Sequence, residues 1–332
     1  MTKLNKLQFI AEAALGHEGS LIKAKNYVLE SKKLKTKFLK FHILIAEEIA
    51  DIKYKHYKLF KSYEMKKDKW VYLSKFAKKN KISLIFDILG EYSLKIAELC
   101  GAKMIKIHST DMYNYPLHKK INLSKIKQVI VSVGGCTNEE IFTMIKNLNQ
   151  KKIILMYGYQ IYPTTSRNLR LLKIKKLKEK LKNKNIVFGY ADHSPNGLLE
   201  TVYNCSSSIA MGATIIEKHY DPNPEIKKKD EDTSAIDTNS FNELIYTINI
   251  CKPNIGKNII WLDKDESKYR KSVSRSFFSK GDLKKDSKFT FDNITLKRGK
   301  THNKLNMKEL LKSKTKIFIK NNTEINQSHL KK

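Results

Sequence analysis

Short apolar runs recur along residues 8–220, with longer polar stretches between them. The runs are LQFIAEA, TKFLKFHI, SLIFDIL, AKMIKIHS, QVIVSVGG, KIILMYGY, NIVFGYAD and TIIEKHY. Each is short and rich in β-branched or aromatic residues, which predicts a buried strand. Helical periodicity fills most of the gaps, over 20–34, 69–79, 92–100, 138–147, 168–183 and 198–211. Strands in this number, joined by helical crossovers, predict an α/β fold of the (β/α)8 TIM barrel type. The stretch 46–65 is too long for an ordinary strand-to-helix loop and predicts a lid or side helix. Residues 221–237, DPNPEIKKKDEDTSAID, are charged, hold two prolines and read as a mobile loop after the last strand. A helix is expected over 240–250.

Beyond that helix the pattern changes. Short strand signals (RSFFSK, KFTFDNI, TLKRG and TKIFIK) alternate with polar turns over 275–320. They predict a small β-rich domain of roughly 60 residues, too little to be robust without docking on something. The expected division is a barrel over 1–262, a linker over 263–274 and the small domain over 275–332.

The stretch 189–220, GYADHSPNGLLETVYNCSSSIAMGATIIEKHY, organises the chain. It reads as strand, helix, strand, with His193 closing one strand and His219 the next. The carboxyl ends of barrel strands face the ligand site. Two imidazoles there can meet on one metal ion, with positions left for water and substrate. Two unrelated surface histidines fit the same spacing. Lys40 and Lys106 stand inside apolar strands, in FLKFHI and MIKIHS, where an ammonium is costly unless it meets an anion. The alternative is an accident of a lysine-rich chain. Glu12 ends the first run, and HEGS (17–20) follows it, with Ser20 placed to cap a helix.

A net charge of +32 raises the question of a polyanionic partner. Only five of the 65 basic residues are Arg, and the lysines spread over the whole chain without aromatic interleaving. Base readout and bidentate phosphate recognition favour Arg. The charge therefore reads as general lysine enrichment that can help draw in an anionic substrate, not as a nucleic-acid interface. No apolar run approaches membrane length. The opening MTKLNKLQFIAEAALG has the lysines and apolar run of a signal peptide, but Glu12 interrupts it, so a first strand is expected. Cys100, Cys136, Cys205 and Cys251 are scattered with no CxxC pair, which suits a reduced cytoplasm.

DHS followed by a small-residue helix and then GAxxIEKHY closely resembles the sialic acid synthase family, as does AExxxxHEGS at the start. The C-terminal part resembles the SAF (antifreeze-like) domain that ends those enzymes, so the likeness covers nearly the whole chain. The resemblance implies condensation of phosphoenolpyruvate with N-acetylmannosamine or a related N-acylated hexosamine. The product would be a nine-carbon 2-keto sugar acid of the neuraminate, legionaminate or pseudaminate type. It also implies a divalent metal, manganese or magnesium, on His193 and His219, and an acid/base role for Glu12. Lys40, Lys106, Ser109 and Ser132 match residues that hold phosphoenolpyruvate. Asp111, in a segment close to SGExxNxPL, and Tyr162, in YQIYPTT, match residues that contact the acceptor sugar, with Gln160 beside them. Asp230 fits a catalytic acid of the charged loop. Arg298, in TLKRGKT, matches an arginine of a KRP motif that crosses to the partner barrel in a domain-swapped homodimer.

The chain departs from the family pattern in places. Ile88 and Leu89 stand where a Ser/Thr-Pro pair is usual, Ala191 where a serine is, Gln160 where an asparagine is common, and His42 where KFQ has glutamine. Gly299 replaces the proline of KRP. These departures imply a different acceptor sugar or a rearranged phosphate pocket. A condensing enzyme with another acceptor, and a carbohydrate-binding paralogue without turnover, are the competing readings.

Overall fold

The apolar runs of the first 220 residues form the strands of a barrel. The computed structural model describes residues 7–182, 186–195, 197–223, 234–256, 262–300 and 305–331. The strands are β1 (Gln8–Ala14), β2 (Phe38–His42), β3 (Ser83–Ile88), β4 (Met104–Ile107), β5 (Gln128–Ser132), β6 (Lys152–Tyr157), β7 (Ile186–Asp192) and β8 (Ile215–His219). Each pairs in parallel with the next, and β8 pairs with β1 to close the cylinder. Closure removes every sheet edge.

The helices predicted by period 3.6 are present: α1 (Leu21–Ser31), α4 (Lys67–Lys79), α5 (Glu91–Leu99), α7 (Asn138–Asn147), α8 (Leu172–Lys180), α9 (Leu198–Ala210) and α10 (Thr238–Cys251). The 46–65 stretch holds two short helices, α2 (Ala46–Ile49) and α3 (Tyr57–Ser62). Periodicity missed α6 (Tyr115–Leu123). Its signal was at the start, where the Asn114 side chain accepts from Leu117 N and a proline follows, a local N-terminal signature.

Two apolar shells hold the barrel. Outward residues such as Phe41, Phe86, Ile88 and Ile216 pack against Trp70, Leu73 and Phe241 of the helices. Inward residues Ile10, Ile85, Met104, Ile130, Ile154, Met156, Ala191 and Ile215 fill the cylinder. Burial of each large side chain contributes roughly 1.5–3 kcal/mol. This inner plug is the floor on which the polar mouth stands. His17 of HEGS belongs to the outer shell: it is fully buried, edge-on to Trp70 at 5.2 Å between ring centroids.

The chain divides into two compact units, Met1–Gly256 and Lys257–Lys332. In the second, β9 (Arg275–Ser279) pairs antiparallel with β10 (Ile294–Arg298), and β11 (Lys314–Thr315) with β12 (Leu330–Lys331). Its own core gathers Phe277, Phe289, Ile294, Leu310, Ile319 and Ile325. KFTFDNI and TKIFIK do not form full strands; isolated bridges at Lys288 and Ile319 take their place. The span expected to be a linker, 263–274, holds α11 (Lys264–Val273). Asp263 caps it by accepting from Asp265 N and Glu266 N, with acids in the first turn and bases in the last. A further short helix, α12 (Met307–Leu311), follows. No helix among the described residues is long and apolar enough to cross a membrane.

Candidate active site

Alternation sends every second strand residue into the barrel. Two residues beyond the apolar floor, the inward positions turn polar: Glu12, Lys40, Asp87, Lys106, Ser132 and Glu217. None is more than 7% exposed. Two residues further on, His42, His108, His193 and His219 ring the mouth.

The charged layer is built by direct contact. Lys40 Nζ meets Glu12 Oε2, and lies 3.2 Å from Asp87 Oδ2 and 3.8 Å from Glu217 Oε1. Lys106 Nζ donates to Glu217 Oε1 at 2.6 Å and lies 3.9 Å from Asp87 Oδ2. Three carboxylates thus face two ammonium groups, a surplus of one negative charge. Burial acts to lower the Lys40 pKa, but Glu12, Glu217 and Asp87 outweigh it and hold Lys40 above its ordinary value. Burial acts to raise both Asp87 and Glu217; the lysines instead take Asp87 well below the carboxylate range and Glu217 down to about 2. Glu12 goes the other way: burial raises its pKa, with Glu217 adding to the rise and Lys40 opposing it. The surplus charge is therefore relieved most readily by a proton on Glu12. Its Oε1 also accepts from Ala14 N at 2.5 Å. That bond pins a register shift of β1 at a residue held in the left-handed region (φ 44°).

Asp87 and Glu217 are the members of the charged layer that motif reading missed. Both were visible in the alternation: Glu217 precedes His219 by two, and Asp87 is a carboxylate inside the apolar run SLIFDIL. With Glu12 they supply the anions that the buried lysines require, as internal counter-ions. Ile88 points outward into the helical shell and Ala191 lies in the inner floor. Of the two departures, only Ala191 stands on the face below the mouth; beside Ile88, the inward residue is Asp87. His42 Nε2 lies 3.5 Å from Asp87 Oδ2 and 3.6 Å from Glu12 Oε1. Burial of its ring, Lys40, Lys106 and His108 push its pKa down to about 3 against the pull of Asp87, so it is neutral.

At the rim, the His193 and His219 ring centroids are 5.6 Å apart. His193 Nδ1 lies 2.8 Å from the Tyr159 carbonyl. A carbonyl can only accept, so Nδ1 carries the proton and Nε2 presents a lone pair. Burial and His219 lower the His193 pKa to about 3, which keeps the imidazole neutral, as metal ligation requires. The His193 carbonyl accepts from Thr164 N (2.7 Å) and Ser234 Oγ (2.9 Å). The Tyr162 ring stands 4.2 Å from that of His193 and 5.8 Å from that of His219. The alternate residues of the two motifs do structural work outside the barrel. Lys218 Nζ donates to Asp192 Oδ2 at 2.7 Å and to the Ser194 carbonyl at 3.0 Å, and all three residues are fully buried. This pair ties β7 to β8 and so sets the spacing of the two imidazoles.

The remaining predicted residues are more scattered. Ser109 and Asp111 share a single 3-10 turn after β4. Asp111 Oδ1 accepts from Asn114 Nδ2 at 2.9 Å, and burial raises its pKa. Gln160 Nε2 donates to the Gly158 carbonyl at 3.4 Å. Among the described residues, none of these, nor Ser132, hydrogen-bonds to the charged layer. Arg298 ends β10 in the second unit, exposed and opposite Arg275. Asp230 lies outside the described residues.

A closed barrel with a carboxylate–lysine layer beneath paired imidazoles narrows the kinship. The model of the NeuB family matches residues 11–259. This chain belongs to the NeuB family. An uncharacterised protein of Methanocaldococcus jannaschii is 32% identical over 87% of this chain and 84% of its own length. The N,N'-diacetyllegionaminic acid synthase of Campylobacter jejuni is 26% identical over 89% of this chain and 91% of its own. Among solved structures, the N-acetylneuraminic acid synthetase of Leptospira borgpetersenii aligns with a TM-score of 0.72 at 26% identity, covering 81% of this chain and 93% of that one. A spore coat polysaccharide biosynthesis protein E of Chromobacterium violaceum shares the fold, with a TM-score of 0.76 over 98% of this chain and all of that one, at 20% identity.

Among the described residues, no group of three or more His, Cys, Asp and Glu side chains is arranged to hold a metal ion. Two imidazoles, one of them His193 with its tautomer set by a carbonyl, are what the mouth provides. They fit a cation whose other positions are filled by water and substrate.

Proposed function

We propose that this chain is a phosphoenolpyruvate-dependent nonulosonate synthase. It condenses phosphoenolpyruvate with an N-acylated hexosamine to give a nine-carbon 2-keto sugar acid and phosphate. The observation that carries the reading is the stacked pair of layers in one NeuB-family barrel: Glu12, Lys40 and Lys106 below, His193 and His219 above. The named synthases among its relatives support the same chemistry.

In this reading Lys40 and Lys106 hold the anionic groups of phosphoenolpyruvate, with Ser109 and Ser132 at the strand ends beside them. The incoming anion exchanges for part of the internal carboxylate pairing. Fixed ammonium groups aimed at a developing charge need no reorganisation during reaction. The methylene carbon of phosphoenolpyruvate attacks the open-chain aldehyde, water adds at the former enol carbon, and phosphate leaves. Glu12, the carboxylate with the highest proton affinity in the layer, gives or takes the proton. His193 and His219 would hold a divalent cation, manganese or magnesium, which when bound supplies Lewis-acid polarisation of the aldehyde. Tyr162, Gln160 and Asp111 line the acceptor side, and Asp230 is assigned a catalytic acid role. The second unit is assigned to the SAF type, and Arg298 to the barrel mouth of the partner in a homodimer.

The test is a mass-spectrometric product assay with phosphoenolpyruvate, divalent metal and a panel of acetamido sugars, with phosphate release followed in parallel. A nine-carbon product from any member supports the synthase. Sugar binding with no phosphate release across the panel would instead identify a carbohydrate-binding paralogue.

A further inference from the structure

A groove of about 740 Å³ opens on the flank of the barrel along α8 and α9, with Asn138, the first residue of α7, also on its wall. That volume falls within the range of small-molecule sites, roughly 300–1,000 Å³. Its lining includes Arg170, Lys173, Lys176 and Lys180, and among the described residues no carboxylate. Lys173, Lys176 and Lys180 recur at helical spacing, so they form one stripe of α8. Two acids stand beside the groove: Glu200 accepts from the lining residue Ser166 at 3.0 Å, and Glu140, which accepts from Thr137 N at 2.7 Å and the Tyr113 hydroxyl at 2.6 Å, acts electrostatically on Lys173. Like charges at this spacing repel, and among the described lining residues the cations outnumber the acids beside them.

Asn204 is 5% exposed and lines the groove. The Ser166 hydroxyl gives its one proton to Glu200 Oε1, so its 3.2 Å contact with the Asn204 amide has the amide as donor. Arg170, one of only five arginines, occupies the left-handed region at φ 51°, which is unusual for a residue with a side chain. Leu169, Leu177 and Met211 supply an apolar face that inorganic phosphate could not use.

We propose that this groove binds an organic phosphate of nucleotide size, at a site separate from the barrel mouth and independent of the synthase reading. Ser166 closely follows the Tyr162 segment, and Lys173 Nζ donates to the Cys136 carbonyl, in the loop after Ser132, at 2.8 Å.

Calorimetric titration of the full chain with each of the four ribonucleoside 5′-monophosphates, and with inorganic phosphate, tests this. Salt at about 150 mM suppresses long-range attraction to the basic surface. At least one nucleotide is expected to bind saturably, roughly tenfold or more tighter than inorganic phosphate. The Arg170→Ala/Lys176→Ala variant changes two exposed residues and is expected to keep its melting temperature. It should lose about ten- to a hundredfold in affinity, as for removal of hydrogen bonds to a charged group. Lys180→Ala should weaken binding less. Two controls should leave affinity unchanged: Lys78→Ala/Lys79→Ala on α4 and Lys40→Ala/Lys106→Ala at the mouth. Absence of saturable binding by every nucleotide would overturn the proposal. So would equal losses from the α4 lysines, which would mark mere surface charge, or loss with Lys40 and Lys106, which would place the ligand in the barrel mouth.

Discussion

At the scale of the residue, the charge surplus inside the barrel decides what each side chain can do. Asp87 competes with an incoming anion for Lys40 and Lys106, since it lies 3.2 Å and 3.9 Å from their ammonium groups. Asp87→Asn is therefore expected to tighten phosphoenolpyruvate binding several-fold, while Lys40→Ala and Lys106→Ala weaken it by about ten- to a hundredfold. Calorimetric titration of the three variants separates these effects, and weaker binding in Asp87→Asn would contradict the competition. His193→Ala and His219→Ala should each abolish turnover and bound metal with the circular dichroism spectrum unchanged. Their imidazoles stand at the rim, and neither contributes to the apolar floor. Near-normal metal content in both variants would remove them from the site.

At the scale of the element, the ends of β7 and β8 are held by a pair that never touches substrate. Lys218 and Asp192 are buried outside the cylinder, and each leaves an uncompensated charge if the other is removed. Breaking a buried pair this way costs about 3–5 kcal/mol. Asp192→Ala should lower the urea midpoint accordingly and should also reduce metal affinity, because the two histidines ride on these strands. An unchanged midpoint would show that the pair is not what joins them. The pair also explains why DHS and IEKH each mix an inward imidazole with an outward charge: in a strand, neighbours face opposite sides.

At the scale of the whole molecule, the buried titratable groups make stability depend on pH. His42 has a folded pKa near 3, below the free value of about 6.5. Between those values the unfolded chain binds a proton that the folded chain refuses, so stability falls as pH falls through that window. Asp87, held below its ordinary range, contributes stability above about pH 4 that is lost on further acidification. Urea midpoints between about pH 7 and pH 4 should fall steadily, and the slope should be shallower in His42→Gln. An identical slope in that variant would exclude His42 as a source. The proposed homodimer makes a separate prediction: mixing Arg298→Ala with Glu12→Ala subunits should restore part of the activity once native mass spectrometry confirms exchange. No recovery after confirmed exchange would mean that the two residues do not serve a shared site.

The sequence by itself determined the barrel and part of its site. Alternation of period two sets Lys40 and Lys106 apart from their branched neighbours, and the ends of the apolar runs place His193 and His219 at the ligand-facing end of the barrel; which face points inward was decided by closure. The long helices of the barrel followed from their 3.6 period, except α6, whose start is marked by an Asn cap and a proline and not by an apolar stripe, while α11 and α12 of the second unit did not. The tertiary structure alone decided which charges meet. Lys40 finds Asp87 across 47 residues and Lys106 finds Glu217 across 111, and only the register and closure of the barrel bring those strands into reach. The same holds for the Tyr162 ring over His193 and for the cationic groove along α8 and α9. Local pattern specifies the direction of a side chain; its partner depends on distances that long-range packing sets.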